Sequence, residues 1–143
     1  MEPYEHKTQY YETDQMGIIH HSNYIRWFES ARIEFMSRAG VDYAVMEREG
    51  IISPVLAVSC EYKSMVHFGD VVLIEPVIRS YNGVKLCLSY TVRDKETGEV
   101  RTTGESSHCF LNREGRPVSL KKAAPHAHEA FLKSMAVTVT EIL

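Results

Sequence analysis

Residues 23–40, "NYIRWFESARIEFMSRAG", decide how the rest of the chain is read. Tyr24, Trp27, Phe28, Ala31, Phe35 and Ala39 recur at the i, i+3, i+4, i+7 spacing of one helix face. Ile25 and Met36 widen that stripe, while Arg26, Ser30 and Arg38 fall outside it. Ser22 or Asn23 is a suitable N-terminal cap, and Gly40 a natural stop. An apolar face this broad and aromatic predicts a helix lying against a sheet.

On both sides the period changes. Upstream, Tyr4 to Thr13 is rich in tyrosine and threonine and is expected to form a first strand. Downstream, a short helix over about Asp42 to Arg48 stops at Gly50. Period-two segments then follow. "SPVLAVSCEYKS" sets Leu56, Val58 and Cys60 against Val55, Ala57 and Ser59. "DVVLIEPVIRS" is a second strand, in which Pro76 points to an edge or a bulge. "VKLCLSYTV" places Val84, Leu86, Leu88, Tyr90 and Val92 on one face. Asn82-Gly83 between these strands predicts a tight hairpin with positive φ at both residues. Thr97-Gly98 makes a second turn, "VRTTGESSHCFLN" a last long strand, and Lys122 to Met135 a terminal helix. The tail "AVTVTEIL" reads as a short strand or as disordered chain. One long helix ahead of a meander of antiparallel strands gives an α+β fold class, with residues 1–143 as a single domain.

Composition narrows the function. A net charge of −3, with basic residues scattered singly, provides no footprint for nucleic acid or an anionic membrane. No apolar run reaches membrane-spanning length, and the first residues lack the apolar core of a secretory signal. Cys60, Cys87 and Cys109 are odd in number and far apart. They form neither a disulfide framework nor a zinc pattern, and are expected to be reduced thiols of a cytoplasmic protein.

The chemistry lies just ahead of the helix, in "YYETDQMGIIHHSNY", residues 10–24. A helix N-terminus exposes main-chain N–H groups that suit a developing oxyanion, so the amides from His20 to Tyr24 are candidate donors. Asp14 precedes them by enough chain for a loop through Gly17 to fold back and face them. A carboxylate opposite such donors can attack an activated carbonyl or deprotonate a water that does so. The competing reading of Asp14 is turn chemistry, an Asx-type bond to the local backbone. His20 and His21 lack a zinc spacing with any neighbouring ligand, so no metal is expected.

The run "YYETDQMGIIHHSNYIRWFESARIEFM", followed by "SPVLAVSCEYKSMVHFGD", resembles the hotdog-fold acyl-CoA thioesterases. The resemblance is to the branch of 4-hydroxybenzoyl-CoA thioesterase and the Tol-Pal-associated thioesterase, and spans about Tyr4 to Asn112. Its signature is an aspartate, a glycine three positions on, a residue at the helix entrance seven positions on, then Asn-Tyr. Asp14, Gly17, His21, Asn23 and Tyr24 fill those places. The resemblance implies a long central helix wrapped by an antiparallel sheet, and hydrolysis of a short-chain or aromatic acyl-CoA. It implies Asp14 as nucleophile or general base and the His21 N–H as the group polarising the carbonyl. Gly17, His20, Asn23 and Tyr24 are then expected around the substrate. Lys63, with Arg93 and Lys95 as further candidates, is expected near the phosphates of coenzyme A. No cofactor is expected beyond the coenzyme A of the substrate itself. The expected partner is a second copy of the chain, in a homodimer or homotetramer. A hydratase or dehydratase on the same fold, and a non-catalytic acyl-CoA-binding module, are the alternatives. Glu29, Glu34, Glu61, His67 and His108 are read as ion-paired, surface or packing residues.

Overall fold

Strand β4 (Lys85–Asp94) shows most directly why the apolar alternation folds as it does. Leu86, Leu88, Tyr90 and Val92 are all buried on one face. Opposite them on β5 (Val100–Cys109) stand His108, Ser106, Gly104 and Thr102, in antiparallel register. α1 (Ser22–Arg38) packs on this face, with the Phe28 ring stacked on Tyr90 at 4.4 Å and 8° between planes. The contact needs a residue without a side chain beneath it. A Cβ added at Gly104 would collide with the Phe28 ring and lie 2.7 Å from the Ser59 carbonyl oxygen.

The computed structural model describes the backbone of residues 2–142 and the side chains of residues 2–135. The remaining elements are β1 (Tyr4–Lys7), a 3-10 turn (Tyr10–Glu12), α2 (Tyr43–Arg48), β2 (Val55–Tyr62), β3 (Val71–Tyr81), α3 (Leu120–Ala123) and α4 (Pro125–Ile142). The five strands form one antiparallel sheet in the order β1-β3-β4-β5-β2. The α+β class read from the sequence is therefore observed. Tyr24, Trp27, Phe28, Ala31, Phe35 and Met36 of α1 join the core with Val72, Ile74, Phe110 and Phe131.

Several local expectations are corrected. The stretch from Tyr4 to Thr13 is a strand only to Lys7, because Thr8 turns aside to bond Asp70 and the 3-10 turn follows. Neither Ser22 nor Asn23 caps α1; His21 occupies that position, and the Asn23 side chain is drawn inward instead. Ile25 does not extend the buried stripe, being 42% exposed. Asn82 keeps a negative φ and accepts the Val84 and Lys85 N–H groups on its side chain, so only Gly83 (φ +90) is left-handed. β3 is interior, yet Pro76 suits it because β1 pairs only with Val71–Ile74 and leaves the chain beyond locally unpaired on that side. The tail is neither strand nor coil: α4 continues to Ile142.

β2 is different again. It pairs with β5 alone and forms an edge of the sheet, with Val55, Leu56 and Val58 exposed. Cys60, Cys87 and Cys109 are free thiols. No helix among the described residues is long and apolar enough to cross a membrane.

Candidate active site

Asp14 opens a tight loop whose geometry follows from its own hydrogen bonds. Its N–H donates to the Ile18 carbonyl (2.9 Å), and its carbonyl accepts the Gly17 N–H (3.2 Å). Gly17 adopts φ +75, a conformation costly for other residues. The loop is strapped to residues 66–68 by Ile19 N–H to Val66 (2.8 Å) and Phe68 N–H to Gly17 (3.4 Å). Asp14 does make the Asx bond: Oδ1 accepts the Met16 N–H at 2.7 Å. Oδ2 accepts no hydrogen bond from the described residues, so turn chemistry occupies one carboxylate oxygen and leaves the other.

The helix entrance is organised so that its donors are used unequally. The His20 N–H goes to the Glu12 carbonyl (2.9 Å) and the Asn23 N–H to the His20 carbonyl (3.0 Å). The Ser22 N–H is accepted by His20 Nδ1 at 3.2 Å. The His21 and Tyr24 N–H groups donate to no acceptor among the described residues. Tyr62 holds the other side of His21, its hydroxyl donating to the His21 carbonyl at 3.0 Å. Tyr24 meets the Tyr62 ring edge-on at 5.1 Å. Both phenols stay protonated at neutral pH. Burial raises Tyr24, and burial together with the Cys60 thiol pushes Tyr62 up to about 12.

These groups surround a cleft of about 340 Å³. Asp14, His21, Tyr24 and Lys63 all line it, joined by Ile18, Ile19, Tyr62, Ser64 and Met65. Lys63 sits 3.6 Å from Glu61 at the surface. Its main chain is tied to Arg101 (2.9 Å), which Asp94 and Glu99 hold in turn. Gly17, His20 and Asn23 do not line the cleft. Gly17 turns the loop, His20 serves the first helical amide, and the buried Asn23 amide donates to the Glu12 and His20 carbonyls at 2.8 and 3.2 Å. Arg93 and Lys95 lie across the sheet, paired with Glu75 and Glu5. Glu34 pairs with Arg38, and the Arg32 guanidinium is directed at the Tyr90 hydroxyl (3.5 Å). No group of three or more His, Cys, Asp or Glu side chains among the described residues is placed to hold a metal ion.

Sequence reasoning missed Glu12. It is buried and accepts from Trp27 Nε1 (2.7 Å) and the Gln9 N–H (2.7 Å), with His6 Nε2 at 2.9 Å. Burial alone would raise this carboxyl, but the bonds from His6, Trp27 and Gln9 outweigh it and hold the group below its ordinary value. Tyr62, the last residue of β2, is a second lining residue outside the Asp14-to-Tyr24 run.

Residues 8–134 match the profile of the thioesterase-like superfamily. The chain belongs to that superfamily. The match makes it an enzyme of the thioester-hydrolase class. Among its relatives, a putative acyl-CoA thioesterase of Bacillus subtilis, YneP, is 35% identical over 131 residues, covering 91% of this chain and 94% of that protein. The crystal structure of a DHNA-CoA thioesterase from Staphylococcus aureus superposes with a TM-score of 0.92 at 33% identity, over 98% of this chain and 94% of that one. A hypothetical protein of known structure from Aquifex aeolicus superposes at 0.80 with 32% identity, over 87% and 96%. The five-stranded antiparallel sheet with few helices is the arrangement of these superfamily members.

Proposed function

We propose that the protein hydrolyses an acyl-CoA thioester, releasing a carboxylic acid and coenzyme A. One observation carries the reading: a single cleft is lined by Asp14, one of whose carboxylate oxygens accepts no hydrogen bond from the described residues, and by His21, whose N–H at the helix entrance donates to no acceptor among them. Asp14 takes a proton from a water whose oxygen bonds to the thioester carbon, or bonds to that carbon itself and is later freed by water. In either course the carbonyl oxygen becomes an oxyanion facing the His21 N–H, whose fixed dipole stabilises it. Collapse of the tetrahedral species breaks the C–S bond, and the thiolate leaves to be protonated. The reaction calls for no metal or further cofactor, coenzyme A being part of the substrate.

Tyr24, Tyr62, Ile18 and Met65 form walls suited to a short or aromatic acyl group, and the likeness to a DHNA-CoA thioesterase supports the aromatic choice. Lys63, which lines the cleft, is our candidate for meeting a phosphate of coenzyme A. Within the superfamily we assign the chain to the branch of 4-hydroxybenzoyl-CoA thioesterase, on the strength of the Asp14-to-Tyr24 run, with α1 as the sheathed helix and the whole chain as one domain. We further propose a cytoplasmic homodimer or pair of dimers, in which the open β2 edge is covered by a second copy.

A panel of acyl-CoA substrates of graded length and aromatic character, read by free-thiol release, tests the reading. Turnover of at least one, lost in Asp14→Ala, is expected. No thiol from any substrate, or wild-type turnover by the variant, overturns it.

A further inference from the structure

Glu12 is 4% exposed, yet it is held as a carboxylate by donors from three places. His6 lies on β1, Gln9 precedes the 3-10 turn, and Trp27 lies on α1. An anion in such a site costs desolvation that an uncharged residue of the same volume would avoid. Packing alone therefore does not account for the charge. What the charge does is join three elements at one point, immediately before the chemistry.

The chain on either side of that point is the candidate catalytic machinery. Asp14 follows by two residues. The Glu12 carbonyl takes both the His20 N–H (2.9 Å) and the Asn23 amide (2.8 Å). The first of these bonds consumes the donor next to His21, and the second sets the direction in which α1 begins. We infer that Glu12 is the positioning residue of the site, fixing the spacing between the Asp14 carboxylate and the His21 N–H. It does not line the cleft and touches no substrate. The inference rests on the reading of Asp14 and His21 as the working pair.

Glu12→Gln preserves the shape but removes the charge that gathers the three donors. Its kcat is expected to fall about tenfold or more, because small misplacements of reacting groups are costly, with KM changed less than about twofold since the walls of the cleft are untouched. Amide hydrogen exchange supplies a readout independent of activity. The His20 amide should exchange faster in the variant, while Val92 and Thr102 in the sheet keep wild-type protection. A purely structural role would instead accelerate both sets together and leave kcat per folded molecule unchanged; either result overturns the inference. If Glu12→Gln does not fold, Trp27→Phe removes one donor and keeps an aromatic ring in place. A several-fold loss of kcat at constant KM is then expected, and wild-type kcat overturns the inference. If the wild-type protein releases no thiol from any substrate, the hydrolase reading fails by itself. Exchange in Glu12→Gln or Trp27→Phe then decides Glu12: selective loosening at His20 upholds its positioning role, and uniform or absent loosening overturns it.

Discussion

The Tyr62 hydroxyl donates to the main-chain carbonyl of His21 across 3.0 Å, tying the last residue of β2 to the cap of α1. The bond fixes the peptide next to the one whose N–H, that of His21, donates to no acceptor among the described residues. Removing it in Tyr62→Phe leaves the ring against Tyr24 and deletes only the oxygen. Stability should change by no more than about 1 kcal/mol, the net worth of one hydrogen bond at a half-exposed site. Thiol release should slow by about three- to tenfold, since the donor it steadies is only loosened. Steady-state kinetics and a thermal melt on the same sample check both halves.

Asp14→Asn separates turn from chemistry. An asparagine oxygen can still accept the Met16 N–H, so the loop should keep its shape. The amide can neither take a proton nor attack efficiently, and kcat should fall roughly 100-fold or more. Asp14→Ala should lose at least as much activity and also some stability, about 0.5–1 kcal/mol, because the turn bond goes too. Kinetics paired with urea denaturation distinguish the two variants.

Gly104→Ala places a methyl group where the Phe28 ring and the Ser59 carbonyl already lie. The backbone conformation is ordinary there, so the penalty is steric. Forcing Phe28 off Tyr90 should destabilise the protein by about 1–3 kcal/mol, read from the midpoint of chemical denaturation. A variant as stable as the parent would mean that α1 sits farther from the sheet than described.

His108 makes stability depend on pH. It is buried with Nε2 2.7 Å from Ser106 Oγ, which in turn bonds the Tyr90 hydroxyl at 2.6 Å, and Arg32 approaches the same hydroxyl. Burial, with a smaller contribution from the Arg32 charge, lowers its pKa from 6.5 to about 4. The unfolded chain therefore takes up a proton at a higher pH than the folded one. His108 leaves stability intact above about pH 6.5 and erodes it as pH falls toward 4, by about 3 kcal/mol in all. Denaturation curves at pH 7.5 and 5 should show about 2 kcal/mol of this loss, and His108→Gln should reduce the difference between them.

How much of this was legible in the sequence follows from how local each signal is. The buried stripe of α1 and the alternation of β4 depend on period alone, and Tyr24, Trp27, Phe28, Ala31 and Phe35 of the one and Leu86, Leu88, Tyr90 and Val92 of the other are buried where the pattern put them. The alternation in β2 carried no such meaning. Leu56 and Val58 repeat every second residue but lie on an edge, which no local pattern marks. Val84 likewise belongs to the β4 alternation in sequence but sits in the turn and is exposed. The tail was ambiguous because its Val-Thr alternation suits a strand, whereas the helix running into it from Pro125 continues.

The site divides in the same way. Asp14, His21 and Tyr24 lie within one short run, so a sequence window can contain them together. Gly17, His20 and Asn23 belong to that run for reasons of backbone geometry, and the fold uses their bonds to shape the loop and helix entrance. Glu12 was invisible because its partners His6 and Trp27 are 6 and 15 residues away in different elements. Met65 and Ser64 reach the cleft only through the pairing of β2 with β5 and the bonds to Arg101.

The outermost strand of the sheet also ends in Tyr62, a wall of the cleft. Anything that zips onto that strand will stiffen the wall, and anything that peels away will soften it. For the proposed homodimer, dilution thereby becomes a chemical variable: specific activity should vary with protein concentration even though Asp14 and the His21 N–H, the proposed working pair, belong to the same chain.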